Sequence, residues 1–507
     1  MTVRAVIIGL LLAVLIAAVG YYNDVILGMT WLVSTHLPVS LFGLLVLAAV
    51  ALNPGLFSIS RSWRLKSREM AVIFGLALIG CSIPGAGLMH QFLPTLTLPM
   101  QLNREKQGWK ANRVLSYAPD RMLAADGEYD PEIVGHFTRG VPRDERFDPW
   151  SAEEVNDTNV PWSAWVKPMS FWLPLIGCFM VSMVCLSLIV HRQWSRRERL
   201  RYPIAALASS LMEQYPDRPA GPLARNRLFW LGMIVMLCLH GVNGLATLYP
   251  DRMIRIPLEL DMTQIGQAYP WITRGMYSTN MLKMMIYPTV VAFAFFLASD
   301  VGLSLGLSIP VWVFISAALA TADVRLGGDY LRGGGRSYQL FGSYLGVALI
   351  VLFIGRRHYG AVLRSAVSFS RSQEAEGHAV WACRGMILAA AGMVGLLCWV
   401  GLAWPLALTT VLLLLLMFLV ISRMNAESGL FFVQPYWHPL GPMLGLFGLA
   451  SLGPTSVTII ALLCAVLTVD PREALMPFVV NGLKICDDRR VRPGKPDAGE
   501  VQADHVG

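Results

Sequence analysis

The sequence predicts an all-α, polytopic integral membrane protein of about twelve transmembrane helices, with some segments broken or re-entrant. Three observations carry that reading. Of 507 residues, 55% are apolar and only 15% charged, where soluble domains carry roughly 25% charged residues. Domain cores cannot hide that much apolar surface. Apolar runs of spanning length recur along the chain, and short Arg-rich segments separate them. This composition excludes a disordered chain, a secreted disulfide scaffold and a nucleic-acid-binding domain. The net charge of +8, from 41 Lys+Arg against 33 Asp+Glu, then belongs to loops that orient the spans.

In chain order the predicted spans are 3–20, 39–57, 70–92, 168–190, 228–248, 284–299, 302–321, 338–355, 382–400, 402–422, 432–452 and 455–469. The pairs 284–321 and 432–469 also allow broken or re-entrant forms. The first run follows Arg4, has no A-x-A cleavage pattern and exits through Tyr21-Tyr22-Asn23-Asp24, so it reads as an uncleaved span. Residues 1–92 thus hold helices one to three, and 93–167 an extracytoplasmic loop or cap. Residues 168–484 hold helices four to twelve, and 485–507 a polar tail.

Loop charge tests this arrangement independently. The segments 61–69, 191–201 and 356–371 and the tail are rich in Arg, and the twelve-span count puts all four on one side. The positive-inside rule makes that side the cytoplasm, with both termini inside. The loop 93–167 falls outside, and its twelve carboxylates outweigh nine cations. Trp162, Trp165 and Trp172 mark where the chain re-enters the bilayer.

Ionisable or helix-breaking residues at membrane depth are candidate functional residues. After the Arg-rich segment 191–201 come Arg201, Tyr202 and Pro203 and a short apolar stretch to Met212. Pro203 suits the first turn of a helix. A half-helix dipping inward would aim its amides at an anionic group; the alternative is an amphipathic helix on the inner surface. Near the end of a Leu-rich run stand Asn425, Glu427 and Ser428, before Gly429. Glu427 could bind a proton, a cation or a substrate amine, or simply pair with Arg423 one helical turn away. Within the third run, Pro84 and Gly85 permit a kink or a close approach to a ligand, or serve helix packing. Asp300 reads as a helix-end cap or an ion ligand. His240 and His438 read as satisfied by neighbours.

Other patterns are discounted. Gly302-Leu303-Ser304-Leu305-Gly306 matches a nucleophile elbow but lies in an apolar helix rather than a strand-turn-helix. Gly327-Gly328 and Gly333-Gly334-Gly335 lack the Lys-Ser/Thr of a phosphate-binding loop and read as a flexible gate. The eight cysteines form no CxxC pair, so neither a metal nor a cofactor is expected.

Several stretches together carry a resemblance: Arg68-Glu69-Met70 with Ile83-Pro84-Gly85, Pro161-Trp162-Ser163-Ala164-Trp165, Gln193-Trp194 through Glu198-Arg199-Leu200 to Tyr202-Pro203, and Asn425 to Gly429. From about residue 3 to 484 the chain resembles a family of uncharacterised bacterial polytopic membrane proteins. That family is similar in turn to the oligopeptide transporter (OPT) superfamily, which takes up small peptides or metal chelates, usually with protons. The resemblance implies an all-helical secondary transporter with a site formed by broken helices near the midplane. Longer relatives continue with further C-terminal spans, which raises the expectation of a reduced transporter or a subunit completed by a separate membrane protein.

The expected function is therefore ion- or proton-coupled secondary transport of a small organic solute in the bacterial inner membrane, not enzymatic catalysis. Arg201 and the half-helix after Pro203 would meet a solute carboxylate, and Glu427 would couple the ion. The expected partners are the lipid bilayer, the solute, a proton or cation, and a separate membrane subunit or a second copy, with no nucleic acid. The alternatives are a non-transporting subunit or scaffold and a membrane-embedded enzyme.

Overall fold

The computed structural model describes residues 2–28, 31–85, 87–139, 161–324, 326–329, 333–368 and 376–491. Much of the acidic stretch of the 93–167 loop, Arg371, and the tail cations Arg492 and Lys495 lie outside the described residues.

The helices in chain order are α1 (Val3–Asp24), α2 (Val39–Ile59), α3 (Ser67–Gly80), α4 (Met89–Glu105), α5 (Ser163–Arg197), α6 (Pro203–Leu211), α7 (Arg227–Leu248), α8 (Pro288–Ala294), α9 (Ser299–Thr321), α10 (Gly335–Ile354), α11 (Arg356–Ser368), α12 (Gly377–Trp399), α13 (Trp404–Ser428), α14 (Leu440–Phe447), α15 (Leu449–Leu467) and α16 (Leu475–Asp488). Two short antiparallel ribbons join Glu259–Asp261 to Lys283–Met285 and Gly328–Asp329 to Gly333–Gly334. The protein is all-α, and among the described residues nine helices are long and apolar enough to cross a membrane.

Three of the twelve predicted spans are not continuous, and each break has a local cause. The run 70–92 stops at Gly80, and Cys81, Ser82 and Ile83 turn on i→i+3 bonds to Leu78, Ile79 and Gly80. Pro84 disfavours the helical region for Ile83, and α4 starts afresh at Met89. In the run 284–299 the ribbon takes the first residues, and Pro288 opens only the seven-residue α8. The run 432–452 is non-helical from Phe432 to His438, across Pro435 and with Tyr436 at φ 51°. There α14 ends at Gly448 (φ 77°), and left-handed Gly453 kinks α15 before Pro454. Apolar content predicted these segments well; proline and glycine decided their continuity.

The bundle core forms where α5 packs along α12, and where α16 packs against α3, α5, α6 and α13. Trp172, Trp194, Tyr202, Phe418, Trp437 and Phe478 are fully buried. α3 and α16 run antiparallel: Gly75 faces Gly482, and the Cys486 thiol approaches the Ala71 carbonyl.

The Arg-rich segments meet at one end. Arg64 donates to Tyr215 O (2.8 Å), Ser67 Oγ to Met212 O (2.7 Å), Arg196 to Asp487 (3.0 Å) and Arg489 to Ser209 O. Arg192 pairs with Glu376 (3.3 Å), and His358 bonds Ile189 O (3.0 Å). At this basic end Glu69 ties α1 to α3, accepting from Thr2 (2.7 Å), Arg4 (2.6 Å) and the Lys66 amide (3.0 Å). Its burial opposes ionisation, but those hydrogen bonds outweigh it and hold the carboxyl below the usual range. At the opposite end, short helical turns before residue 139 pack on the start of α5: Trp172 Nε1 donates to Met122 O (3.0 Å), and Lys167 pairs with Asp126 (2.5 Å).

Candidate functional site: a cleft between two half-helices

α3 and α16 have fourteen residues each, about 21 Å of helix, and neither reaches across a hydrocarbon core of about 30 Å. Both start or finish at the basic end. Their other ends face each other inside the bundle, where 81–88 and 468–474 replace helix with turns. A small, half-open cleft lies at this junction, with about 40 Å³ of space open to the centre of a water-sized sphere. Ile176, Phe179 and Met180, from the middle of α5, and Phe418 of α13 supply apolar walls; Ser82, Asp470 and Glu473 supply the polar atoms.

Glu473 is the chemically distinctive group. It is 3% exposed, and neither carboxylate oxygen has a hydrogen bond of good geometry. It lies in the single turn Pro471–Glu473, outside the nine spans. Burial and then neighbouring Asp470 push its carboxyl up to about 8, against the opposing influence of the Gly87 amide and Arg472. It packs directly on Gly85, where any side chain would fall on the carboxylate. Asp470 forms a two-point ion pair with Arg472, whose guanidinium also stacks over Phe432 (5.1 Å). Asp24, at the end of α1, is buried with one oxygen unpartnered; its other oxygen accepts from Leu32 N (3.1 Å). Among the described residues no three His, Cys, Asp or Glu side chains stand close enough to hold a metal ion.

The sequence-predicted residues divide between this cleft and a neighbouring junction. Pro84 and Gly85 stand beside the cleft without lining it, with Pro84 against Gly20 of α1 and Gly85 under Glu473. Tyr202, Pro203, Asn425 and Ser428 meet where α6 begins and α13 ends: Tyr202 N donates to Ala426 O (2.9 Å). Gly429 caps α13 at φ 65°, and a side chain there would strike Phe293 and Pro203. Tyr202, Pro203, Ile204, Ala205 and Ala208 are buried and Ser210 is exposed, so α6 packs one face against the bundle. Asn425 donates to Leu430 O (2.9 Å) and accepts from Asn481 of α16 (2.6 Å), while Ser428 bonds back to Met424 O (2.6 Å).

The remaining candidates stand apart from the cleft lining. Arg201 is exposed. Glu427 is half exposed and pairs with Arg423 (2.9 Å) in the i,i+4 arrangement; Arg423 in turn binds Glu198, both side chains being 11% exposed. Asp300 is exposed in the first turn of α9, a helix-end position. His438 is satisfied by Thr468 Oγ1 (2.7 Å), whereas His240 is exposed on α7. The glycine-rich segment forms the second ribbon, beside Gly441 of α14.

Sequence reading missed Glu473, Asp470 and Asn481. The available signal was the charged tetrad Asp470-Pro471-Arg472-Glu473, set between an apolar run and the apolar Leu475-Met476-Pro477-Phe478-Val479-Val480.

No curated protein and no solved structure matches this chain. Residues 1–496 match DUF6785, a family of unknown function, and the chain belongs to that family.

Proposed function

We propose that the protein is a secondary transporter of a small organic solute, driven by a proton or cation gradient, with the cleft between α3 and α16 as its solute site. The observation that carries this reading is Glu473, a buried carboxyl without a good hydrogen-bond partner at the meeting point of two half-helices. Such a group is costly to hold and has no packing role that an apolar residue would not fill. Broken helices that bring polar groups to mid-bilayer are the usual architecture of transporter sites. The convergence of Arg-rich segments at one end supports a bacterial inner-membrane protein with that end in the cytoplasm. The OPT-like resemblance adds small peptides and metal chelates to the solutes to be screened.

Uptake into proteoliposomes under an imposed proton or cation gradient tests the proposal. Gradient-driven accumulation that Glu473→Gln abolishes is the expected result. No flux of any class of solute through correctly folded protein would sink it. The alternative of a subunit completed by a separate membrane protein draws on α7, in which Ala246 alone is buried. A stoichiometric membrane partner that restores flux to an otherwise inactive chain would favour it.

A further inference from the structure

We infer that the solute is an amphipathic organic cation, held by its charge at the Glu473 carboxylate and by its apolar body against the Phe179–Phe418 pair, in exchange for the proton that Glu473 carries when the cleft is empty. The inference rests on the transport reading for its physiological meaning, but the binding it describes stands by itself.

The sign of the cleft's charge is the first argument. Among the described residues, the ionisable side chains that line it are Asp470 and Glu473, and none is Lys or Arg. Arg472 is already engaged by Asp470 and Phe432. An anionic solute would leave water for a lining that offers it no counter-charge and would stand beside Asp470, an arrangement that costs several kcal/mol. A cation would supply the partner that Glu473 lacks.

The walls make the second argument. Phe179 and Phe418 stand edge to face with centroids 5.1 Å apart, and Ile176, Met180, Val466 and Leu467 complete an apolar lining. Aromatic rings favour organic cations, quaternary ammonium groups above all.

Exchange follows from burial. A carboxyl this buried, without a hydrogen bond of good geometry, carries a proton when the cleft is empty. The charged groups acting on it are Asp470 and Arg472 from its own turn and Asp24 from the end of α1, with the Cys81 thiol of the 81–88 turn also close. When the cation binds, the O–H bond of Glu473 breaks, the proton passes to solvent, and the carboxylate pairs with the cation. Charge in the cleft is conserved, and proton and solute exclude each other from one carboxylate.

The test is calorimetric titration of the purified full-length protein in detergent with phenyltrimethylammonium, whose charge does not change with pH. Benzyl alcohol and benzoate serve as neutral and anionic controls. The inference expects cation binding that weakens roughly tenfold per pH unit below about 8. It also expects release of about one proton per cation bound, read from buffers of different ionisation enthalpy. Glu473→Gln should abolish the proton release, and Phe418→Ala should weaken binding severalfold without changing it. Preference for benzoate, binding without proton release, or no cation binding to folded wild-type protein would each overturn the inference. Those readouts need no variant. Proton-linked binding without flux in proteoliposomes would uphold it and count against transport alone.

Discussion

Asn425 near the end of α13 and Asn481 in α16 share a 2.6 Å hydrogen bond with both side chains buried. The Asn481 amide also donates to Pro477 O (2.8 Å), and Asn425 reaches Leu430 O (2.9 Å). This pair joins the Asn-Ala-Glu-Ser-Gly turn to the half-helix that leads away from the cleft. Replacing Asn481 with Leu leaves Asn425 Oδ1 without its donor, an expected cost of about 1–3 kcal/mol. Thermal unfolding in detergent should show the loss, and an Asn425→Ala/Asn481→Leu double variant should recover part of it. Additive losses would show that the two side chains do not act as a pair.

The two carboxylates on Arg423 should differ sharply in importance. Arg423→Ala strands the largely buried Glu198 and is expected to destabilise by about 2 kcal/mol or more. Glu427→Gln removes only the half-exposed partner and should stay within about 0.5 kcal/mol. Chemical denaturation of both variants decides the point; equal losses would contradict the geometry.

Gly85 and Glu473 should be coupled. A methyl group at residue 85 falls on the carboxylate, so Gly85→Ala is expected to destabilise by about 1–3 kcal/mol. Shortening the neighbour in Gly85→Ala/Glu473→Ala should recover about 1 kcal/mol or more in a double-mutant cycle.

Glu473 also predicts a direction of pH-dependent stability. Its folded pKa lies above its unfolded value, so between the ordinary carboxylate range and about 8 the folded state binds more protons, and stability falls as pH rises. Glu473→Gln removes that slope. Its melting temperature should gain on wild type as pH rises toward 8 and then level off. A constant difference across this range would mean that the carboxyl titrates normally.

Glu69 predicts the opposite sign. Its folded pKa is depressed, so its stabilisation is present above the unfolded value and is lost as pH falls through the lower, folded one. Glu69→Gln should lower the melting temperature at neutral pH, and the gap should close in acid. Arg4→Ala should reproduce part of this loss.

The sequence by itself determined what depends on composition and local backbone chemistry. Apolar runs located the helices that, among the described residues, are long and apolar enough to span, and the Arg-rich segments flank helix ends that touch through Arg64, Arg196 and Arg489. Pro84, Gly85, Tyr202 and Asn425 are helix-breaking or polar residues in apolar surroundings, legible because such residues are costly in a membrane. Tertiary structure decided which of these residues share a site. Tyr202 meets Ala426 across more than two hundred residues of chain, and Gly85 meets Glu473 across nearly four hundred. No local periodicity encodes such pairings, because they follow from how α16 packs among α3, α5, α6 and α13. Packing likewise gave Glu427 an exposed ion pair and Glu473 a buried place without a good partner. In sequence both are a Glu within four residues of an Arg. The difference is desolvation, and desolvation belongs to the folded bundle.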